Sequence, residues 1–180
     1  MQKIISPSFF NRDTKKVAQE LLGKFLVRKI GKRTISFMIT ETEAYDGHED
    51  RASHASRGKT ERNGVMFGEA GYFYVYLCYG MHWMLNVTTR EHGYPAAILI
   101  RAVEVVSGPG RVTKKFKINK KLNGKIALPV SGLWFEDHGV KIPKKQIIRT
   151  PRVGVRYAGA KWASKEWRFV LLKEPAIMRK

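Results

Sequence analysis

The chain has one cysteine, Cys78, so no internal disulfide can form and the fold needs no covalent staple, in keeping with a reducing compartment. No run approaches the roughly 18 apolar residues of a membrane span. The opening MQKIISPSFFNR lacks the continuous apolar stretch of a secretory signal, so export is not expected. HExxH, His/Cys sets at zinc spacing and EF-hand loops are all missing, as are GxSxG and the GxxxxGK[ST] phosphate loop. These absences argue against metal-dependent, serine-hydrolase and nucleotide-hydrolysing chemistry. Acidic residues are scarce as well: 15 Asp and Glu stand against 34 Lys and Arg, a formal charge of +19.

That excess makes a polyanion the expected partner, with nucleic acid bound through counterion release the leading reading. An anionic membrane fits less well, because the basic residues are dispersed and no long amphipathic basic helix is evident. A basic surface without a partner is the plain alternative. At 180 residues, 43% of them hydrophobic, the chain reads as one globular domain spanning 1–180, long enough to bury about 70% of its unfolded surface. No repeat, low-complexity block or linker divides it.

In chain order, Phe9 and Phe10 followed by Asn11 or Asp13 predict a helix start. Val17, Ala18, Leu21 and Leu22 then give that helix one buried face, and Gly23 a stop. KFLVRKI, a turn at Gly31-Lys32-Arg33 and TISFMITETEAY predict a hairpin. If its second strand is regular, Glu41 and Glu43 share a face with Ile35, Phe37 and Ile39, a costly arrangement unless the carboxylates have partners or a task. ETEAYDGHED holds a third of the acids in ten residues. Carboxylate catalysis on a nucleic acid, a Mg²⁺ site and internal pairing with lysines and arginines all fit it. The polar segment that follows, RASHASRGKTERNGVMF, carries His54, Arg57, Lys59 and Arg62, with a short helix expected near Thr60 to Asn63 and phosphate-binding charge beside the acids. In PAAILIRAVEVV, Arg101 lies inside an apolar strand and needs a carboxylate or phosphate; Glu41 and Glu43 are the candidates. SGPGRVTKKFKINKK predicts a glycine-rich turn into a basic helix start, with Arg111, Lys114 and Lys115 suited to phosphate. The rest, LWFED, QIIRTPRVGVRYAG and WRFVLL, reads as further short strands between Pro and Gly turns.

The densest aromatic stretch is GYFYVYLCYGMHWMLNVTT, residues 71 to 89. It predicts two strands meeting at Tyr79-Gly80, with Gly80 free to take positive φ and a tyrosine carried out at the tip. Tyr72, Tyr74 and Tyr76 line one side of the first strand and Phe73, Val75 and Leu77 the other. An ordinary core hairpin and a stacking platform both fit. A carboxylate beside aromatics, a strand arginine and a tip tyrosine on a basic body suit an enzyme that takes a nucleotide out of the stack to break its glycosidic bond. Tyr79 is then the wedge that fills the gap, and one carboxylate both activates water and stabilises the oxocarbenium-like sugar.

ETEAYDGHEDRASH, the YVYLCYGM hairpin, Asn86, ILIRAVE, the GPG turn and RVGVRYAG together resemble the alkyladenine (3-methyladenine) DNA glycosylase family of the eukaryotic and Bacillus type. The similarity runs from about Ser6 to about Val170. It implies an α+β fold, a single domain on a curved, mainly antiparallel sheet with peripheral helices and a protruding hairpin. It also implies hydrolysis of alkylated or deaminated purines from duplex DNA, bound through the minor groove by a monomer without metal or cofactor. The location would be cytoplasmic with the nucleoid in a bacterium, nuclear in a eukaryote. By the same resemblance Glu43 activates the water and Arg101 holds it. Tyr45 and Tyr76 stack on the extruded base, His54 contacts its edge, Asn86 obstructs the guanine amino group and Tyr79 intercalates. A two-residue loop at Tyr79-Gly80 would put Tyr76 and Asn86 on opposite faces; the resemblance therefore requires a three-residue loop or a bulge. A non-enzymatic minor-groove binder and a metal-dependent nuclease are the rival classes.

Overall fold

The computed structural model describes residues 2–172. In chain order its elements are β1 (Lys3–Ile4), α1 (Thr14–Glu20), β2 (Phe25–Ile30), β3 (Arg33–Asp46), β4 (Phe73–Cys78), β5 (His82–Thr88) and β6 (Ala96–Val103). There follow β7 (Val106–Ser107), α2 (Pro109–Lys115), β8 (Leu133–Asp137), β9 (Ile147–Thr150), α3 (Ala160–Ala163) and β10 (Arg168–Leu171). Every pairing between these strands is antiparallel, in the order β1-β8-β2-β3-β6-β5-β4, with β10 joining β3 to β9. The fold is therefore α+β with an open antiparallel sheet, as the resemblance implies.

β3 organises this sheet. Its first half pairs with β2, from Arg33 opposite Ile30 to Met38 opposite Phe25. Its second half runs between β6 and β10, with Glu43 opposite Leu99 on one side and Arg168 on the other. α1 is set on the sheet by its start and its face. The Asp13 carboxylate accepts the backbone N–H groups of Lys15 and Lys16 at 3.1 and 3.0 Å, satisfying donors that the first turn leaves free. Val17, Ala18 and Leu21 are fully buried, and the Ala18 carbonyl accepts from Thr42 Oγ1 at 2.8 Å. The main core lies on this side of β3, where Val17, Leu21, Ile39, Ile98, Phe116 and Phe135 join one cluster. Fully burying side chains of this size contributes about 1.5–3 kcal/mol each. Among the described residues no helix is long and apolar enough to cross a membrane.

Two local expectations fail. Thr60 to Asn63 is a turn, flanked by one-turn helices at His54–Arg57 and Gly64–Phe67. Asn63 Oδ1 accepts from the Thr60 N–H at 2.7 Å while its amide reaches the carbonyls of His54 and Gly58, so the side chain takes up backbone groups that a helix would pair. RVGVRYAG is not a strand either. β9 stops at Thr150, ahead of Pro151, and the chain folds inward on a buried Arg152, with Gly154 at φ 76°.

Candidate active site

The carboxylates of β3 escape the core through a paired irregularity. Ile39 pairs with Val103, Glu41 with Ala102 and Thr42 with Ile100, so Thr40 is an extra residue in β3 and Arg101 an extra residue in β6. Each bulge shifts side-chain parity by one. Ile39 and Ala44 consequently both join the core, as do Ile100 and Val103. Glu41, Glu43 and Tyr45 come to the opposite face together with Arg101. The expectation that the carboxylates share a face with Ile35, Phe37 and Ile39 holds only for a regular strand, and this strand is bulged.

Glu43 is fully buried. Its Oε1 accepts the Val153 backbone N–H at 2.7 Å, its Oε2 accepts the Tyr45 hydroxyl at 2.8 Å, and Arg101 Nη1 lies 3.4 Å from Oε1. Burial nevertheless dominates and raises the carboxyl above its ordinary range, against the opposing pull of Arg101, the Val153 N–H and the Tyr45 hydroxyl. A carboxylate held this way is destabilised as an anion yet oriented at both oxygens, which suits a general base. Arg101 Nε donates to Glu41 Oε1 at 2.9 Å, and Arg168 Nη1 reaches the same oxygen at 3.1 Å. Glu41 thus anchors the arginine that stands beside Glu43, and both candidate partners of Arg101 are engaged.

The hairpin supplies the neighbouring cavity. Cys78 pairs with His82 and Tyr74 with Asn86, leaving Tyr79, Gly80 and Met81 as a three-residue loop. Residues directly opposite share a face, so Tyr74, Tyr76 and Asn86 stand together, as the resemblance requires. With Tyr45, His54, Met66, Ala97 and Tyr157 they line a cavity of about 50 Å³. Asn86 is buried and donates from Nδ2 to the Tyr74 carbonyl at 3.0 Å. His54 sits at the solvent side of the cavity, edge-on to Tyr76 at 4.6 Å, with its Nδ1 2.9 Å from the Tyr74 hydroxyl. Partial desolvation of the ring, and then Arg62 nearby, lower the His54 pKa and favour neutral imidazole. Burial pushes the Tyr74 phenol up to about 12 and raises those of Tyr76 and Tyr45.

On its other face the hairpin is held by Phe73 and Val75, both in the main core, whereas Leu77 is exposed because the strands project beyond the core there. Tyr72 precedes β4, forms a backbone bridge with Ile126 and is not among the residues lining the cavity. At the tip Tyr79 is 89% exposed at φ 49°, with Gly80 at φ 68°. Arg57 lies exposed at the end of the His54–Arg57 turn, and Arg111, Lys114 and Lys115 are exposed on α2, which packs along β5 and β6.

Three participants carry no role in the sequence reading. The Val153 N–H is a backbone group with no residue signature. Arg152 is fully buried, paired with Asp50 at 2.6 and 2.8 Å and donating to the Ala44 carbonyl at 2.9 Å. Tyr157 is 71% exposed at the cavity rim, with its hydroxyl tied to the Ala52 carbonyl at 2.9 Å. All three lie in RVGVRYAG, whose presence among the family motifs was the one available signal.

Internal pairing accounts for much of the acidic segment. Asp46 binds Lys15 at 2.5 Å and Thr14 at 2.7 Å, Asp50 binds Arg152, and Glu41 binds two arginines. Among the described residues no three His, Cys, Asp or Glu side chains gather as a metal-binding group. A hollow of about 870 Å³ between β1, α1 and the segment joining β8 to β9 shares no residue with the cavity beside Glu43.

The methylpurine-DNA glycosylase family profile matches residues 8–108 and 104–175. A protein of Methanocella arvoryzae is 40% identical over 98% of this chain and 96% of its own length. One of Legionella pneumophila strain Paris is 42% identical over 99% and 100%, and one of Anaeromyxobacter dehalogenans strain 2CP-1 is 41% identical over 96% and 84%. Each bears the name "Putative 3-methyladenine DNA glycosylase". With the profile covering most of the sequence and relatives alike from end to end, the chain belongs to the methylpurine-DNA glycosylase family.

Proposed function

We propose that the protein extrudes alkylated or deaminated purines from duplex DNA and hydrolyses their N-glycosidic bond, leaving an abasic site. The observation that carries this reading is Glu43: a fully buried carboxylate fixed at both oxygens, 3.4 Å from Arg101, and bonded to Tyr45, a ring that lines an aromatic cavity. In this mechanism Glu43 takes a proton from water as the water attacks the anomeric carbon. The same negative charge stabilises the positive charge developing on the sugar. Arg101, fixed by Glu41, orients the water. Tyr45 and Tyr76 clamp the departing base and Asn86 fills the position where a guanine amino group would sit. The neutral His54 meets the base edge; with the Tyr74 hydroxyl donating to Nδ1, its Nε2 carries the proton and donates. Tyr79 enters the minor groove and occupies the gap in the stack, while Arg57, Arg111, Lys114 and Lys115 contact phosphates.

Glu43→Gln tests the assignment in single-turnover excision from duplexes carrying hypoxanthine or 3-methyladenine. The expected result is a loss of about 10²–10⁴-fold, the usual span of general-base catalysis, with duplex affinity kept. Near wild-type chemistry would overturn Glu43 as the base. The product strand should break only after alkali treatment, and EDTA should leave the rate unchanged; a metal-dependent nuclease would fail both.

A further inference from the structure

We propose that Arg152 is a positioning residue for the hydrolysis: held by Asp50 and by the strand that carries Glu43, it sets the Val153 N–H on the Glu43 carboxylate. This inference rests on the reading of Glu43 as the general base.

Val153 lies in a stretch that its own side chain does not anchor. The ladder between β9 and β10 ends with Thr150 opposite Arg168. Beyond it Pro151, Val153 and Gly154 are exposed, Val153 by 49%, and Arg152 alone among residues 151–154 is buried. Arg152 Nη1 donates to Asp50 Oδ2 at 2.6 Å and to the Ala44 carbonyl at 2.9 Å, while Nη2 donates to Asp50 Oδ1 at 2.8 Å. Asp50 is fixed in turn, its Oδ1 accepting the Ala52 N–H at 3.1 Å and its Oδ2 the Asp46 N–H at 3.3 Å. Arg168 Nε donates to the Pro151 carbonyl at 3.1 Å, but that bond lies one peptide further from Val153.

The Val153 N–H belongs to the rigid peptide plane that begins at the Arg152 Cα. Fixing the Arg152 side chain against Ala44, the residue next to Glu43, therefore fixes the donor relative to its acceptor, and the N–H meets Glu43 Oε1 at 2.7 Å. A planar fork bound at both nitrogens holds direction as well as distance. Desolvation offsets most of the attraction within a buried ion pair, so the pair is weak ground for stability by itself. Its geometry gives it a task in placing the next amide. Arg101 on β6, Tyr45 and Glu41 on β3, Arg168 on β10, Tyr76 on β4 and Arg152 with Asp50 are the charged and titratable groups about Glu43.

The test is the pH profile of single-turnover excision of hypoxanthine, with duplex affinity measured alongside. An ester in place of the Val153 amide, made by incorporating the α-hydroxy acid analogue of valine, removes the N–H and alters no side chain. It should slow excision about tenfold or more at neutral pH, the scale of a hydrogen bond to a charged group. The acid limb should move to higher pH, because the lost bond favours the ionised carboxyl. Arg152→Lys keeps the positive charge and loses the fork, so a limb moved in the same direction reports lost placement rather than lost charge. Duplex affinity should be kept in both. Arg152→Lys combined with the ester should be no slower than the ester alone, since the group that the arginine places is already gone. An unmoved acid limb in the ester or in Arg152→Lys overturns the proposal, as do losses that multiply in the combined protein. If Arg152→Lys does not fold, Asp50→Asn, which keeps the shape and removes the charge that holds the fork, takes its place in the same comparison. Glu43→Gln distinguishes the two readings. Near wild-type excision in that variant removes the base itself, whereas a slow Glu43→Gln beside an unmoved limb in Arg152→Lys removes only the positioning role.

Discussion

The Tyr45 hydroxyl donates to Glu43 Oε2 at 2.8 Å, joining a proposed stacking ring to the proposed base two residues away on one strand. The bond stabilises the ionised carboxylate, opposing the burial that raises its pKa. Tyr45→Phe keeps the ring and removes the donor, so the Glu43 pKa should rise further and the acid limb of the excision rate should move to higher pH. At neutral pH the rate should fall about tenfold or more, since a hydrogen bond to a charged group is worth about 1.5–3 kcal/mol. A pH–rate profile with an unmoved acid limb would show that the hydroxyl does not act on Glu43.

The same buried carboxylate should cost stability. A carboxyl whose pKa is higher folded than unfolded binds more protons in the folded state between the two values. Folding stability therefore declines as pH rises from the ordinary value near 4.5 through the raised one. Glu43→Gln imitates the neutral form. At pH 7–8 it should melt above the wild type by about 2–4 °C, equivalent to ~1 kcal/mol in a chain of this size. The difference should shrink below about pH 4.5, where the wild-type carboxyl is protonated in both states. A lower melting temperature for the variant at pH 8 would mean that the anion is not strained.

How much of this site is visible in the sequence depends on the kind of contact. The hairpin is legible because alternation and a Tyr-Gly tip are local signals, and because parity alone ties the Tyr76–Asn86 relationship to loop length. Glu41 and Glu43 are legible as candidates but not their side of the sheet. That is decided by extra residues at Thr40 and Arg101, whose effect appears only when β3 and β6 are paired. The Val153 N–H cannot be read at all, since any residue except proline offers one. Asp50 and Arg152 lie 102 positions apart, and nothing local in either neighbourhood announces the other. The helix expected at Thr60 to Asn63 fails for the opposite reason, because the Asn63 side chain satisfies the backbone locally and no periodicity opposes it.

The proposed phosphate contacts should be visible in salt dependence rather than in chemistry. Replacing Arg111, Lys114 and Lys115 on the exposed side of α2 with Gln removes charge from a helix whose buried residues include Val112 and Thr113, so the fold should survive. Each lost phosphate contact should flatten the slope of log affinity against log salt by about 0.9. Single-turnover excision at saturating enzyme should be unchanged. Affinity measured on damaged and undamaged duplexes from 50 to 200 mM salt checks this, and an unaltered slope would place the DNA elsewhere.

Tyr79 offers the most direct check on how DNA is engaged. Its side chain is 89% exposed and its backbone holds φ 49°, an uncommon conformation for a non-glycine residue, so its contacts within the protein do not account for its presence. Tyr79→Ala should change folding stability by no more than about 0.5 kcal/mol, as for other surface sites. Yet unstacking a base step costs a few kcal/mol, and a wedge offsets part of that. Loss of the ring should therefore reduce the extruded fraction by about tenfold or more, read by the fluorescence of 2-aminopurine placed beside the lesion. Excision of a lesion in single-stranded DNA, which has no partner strand to part from, should fall much less. Equal losses on single and double strands would assign Tyr79 to the pocket instead of the gap.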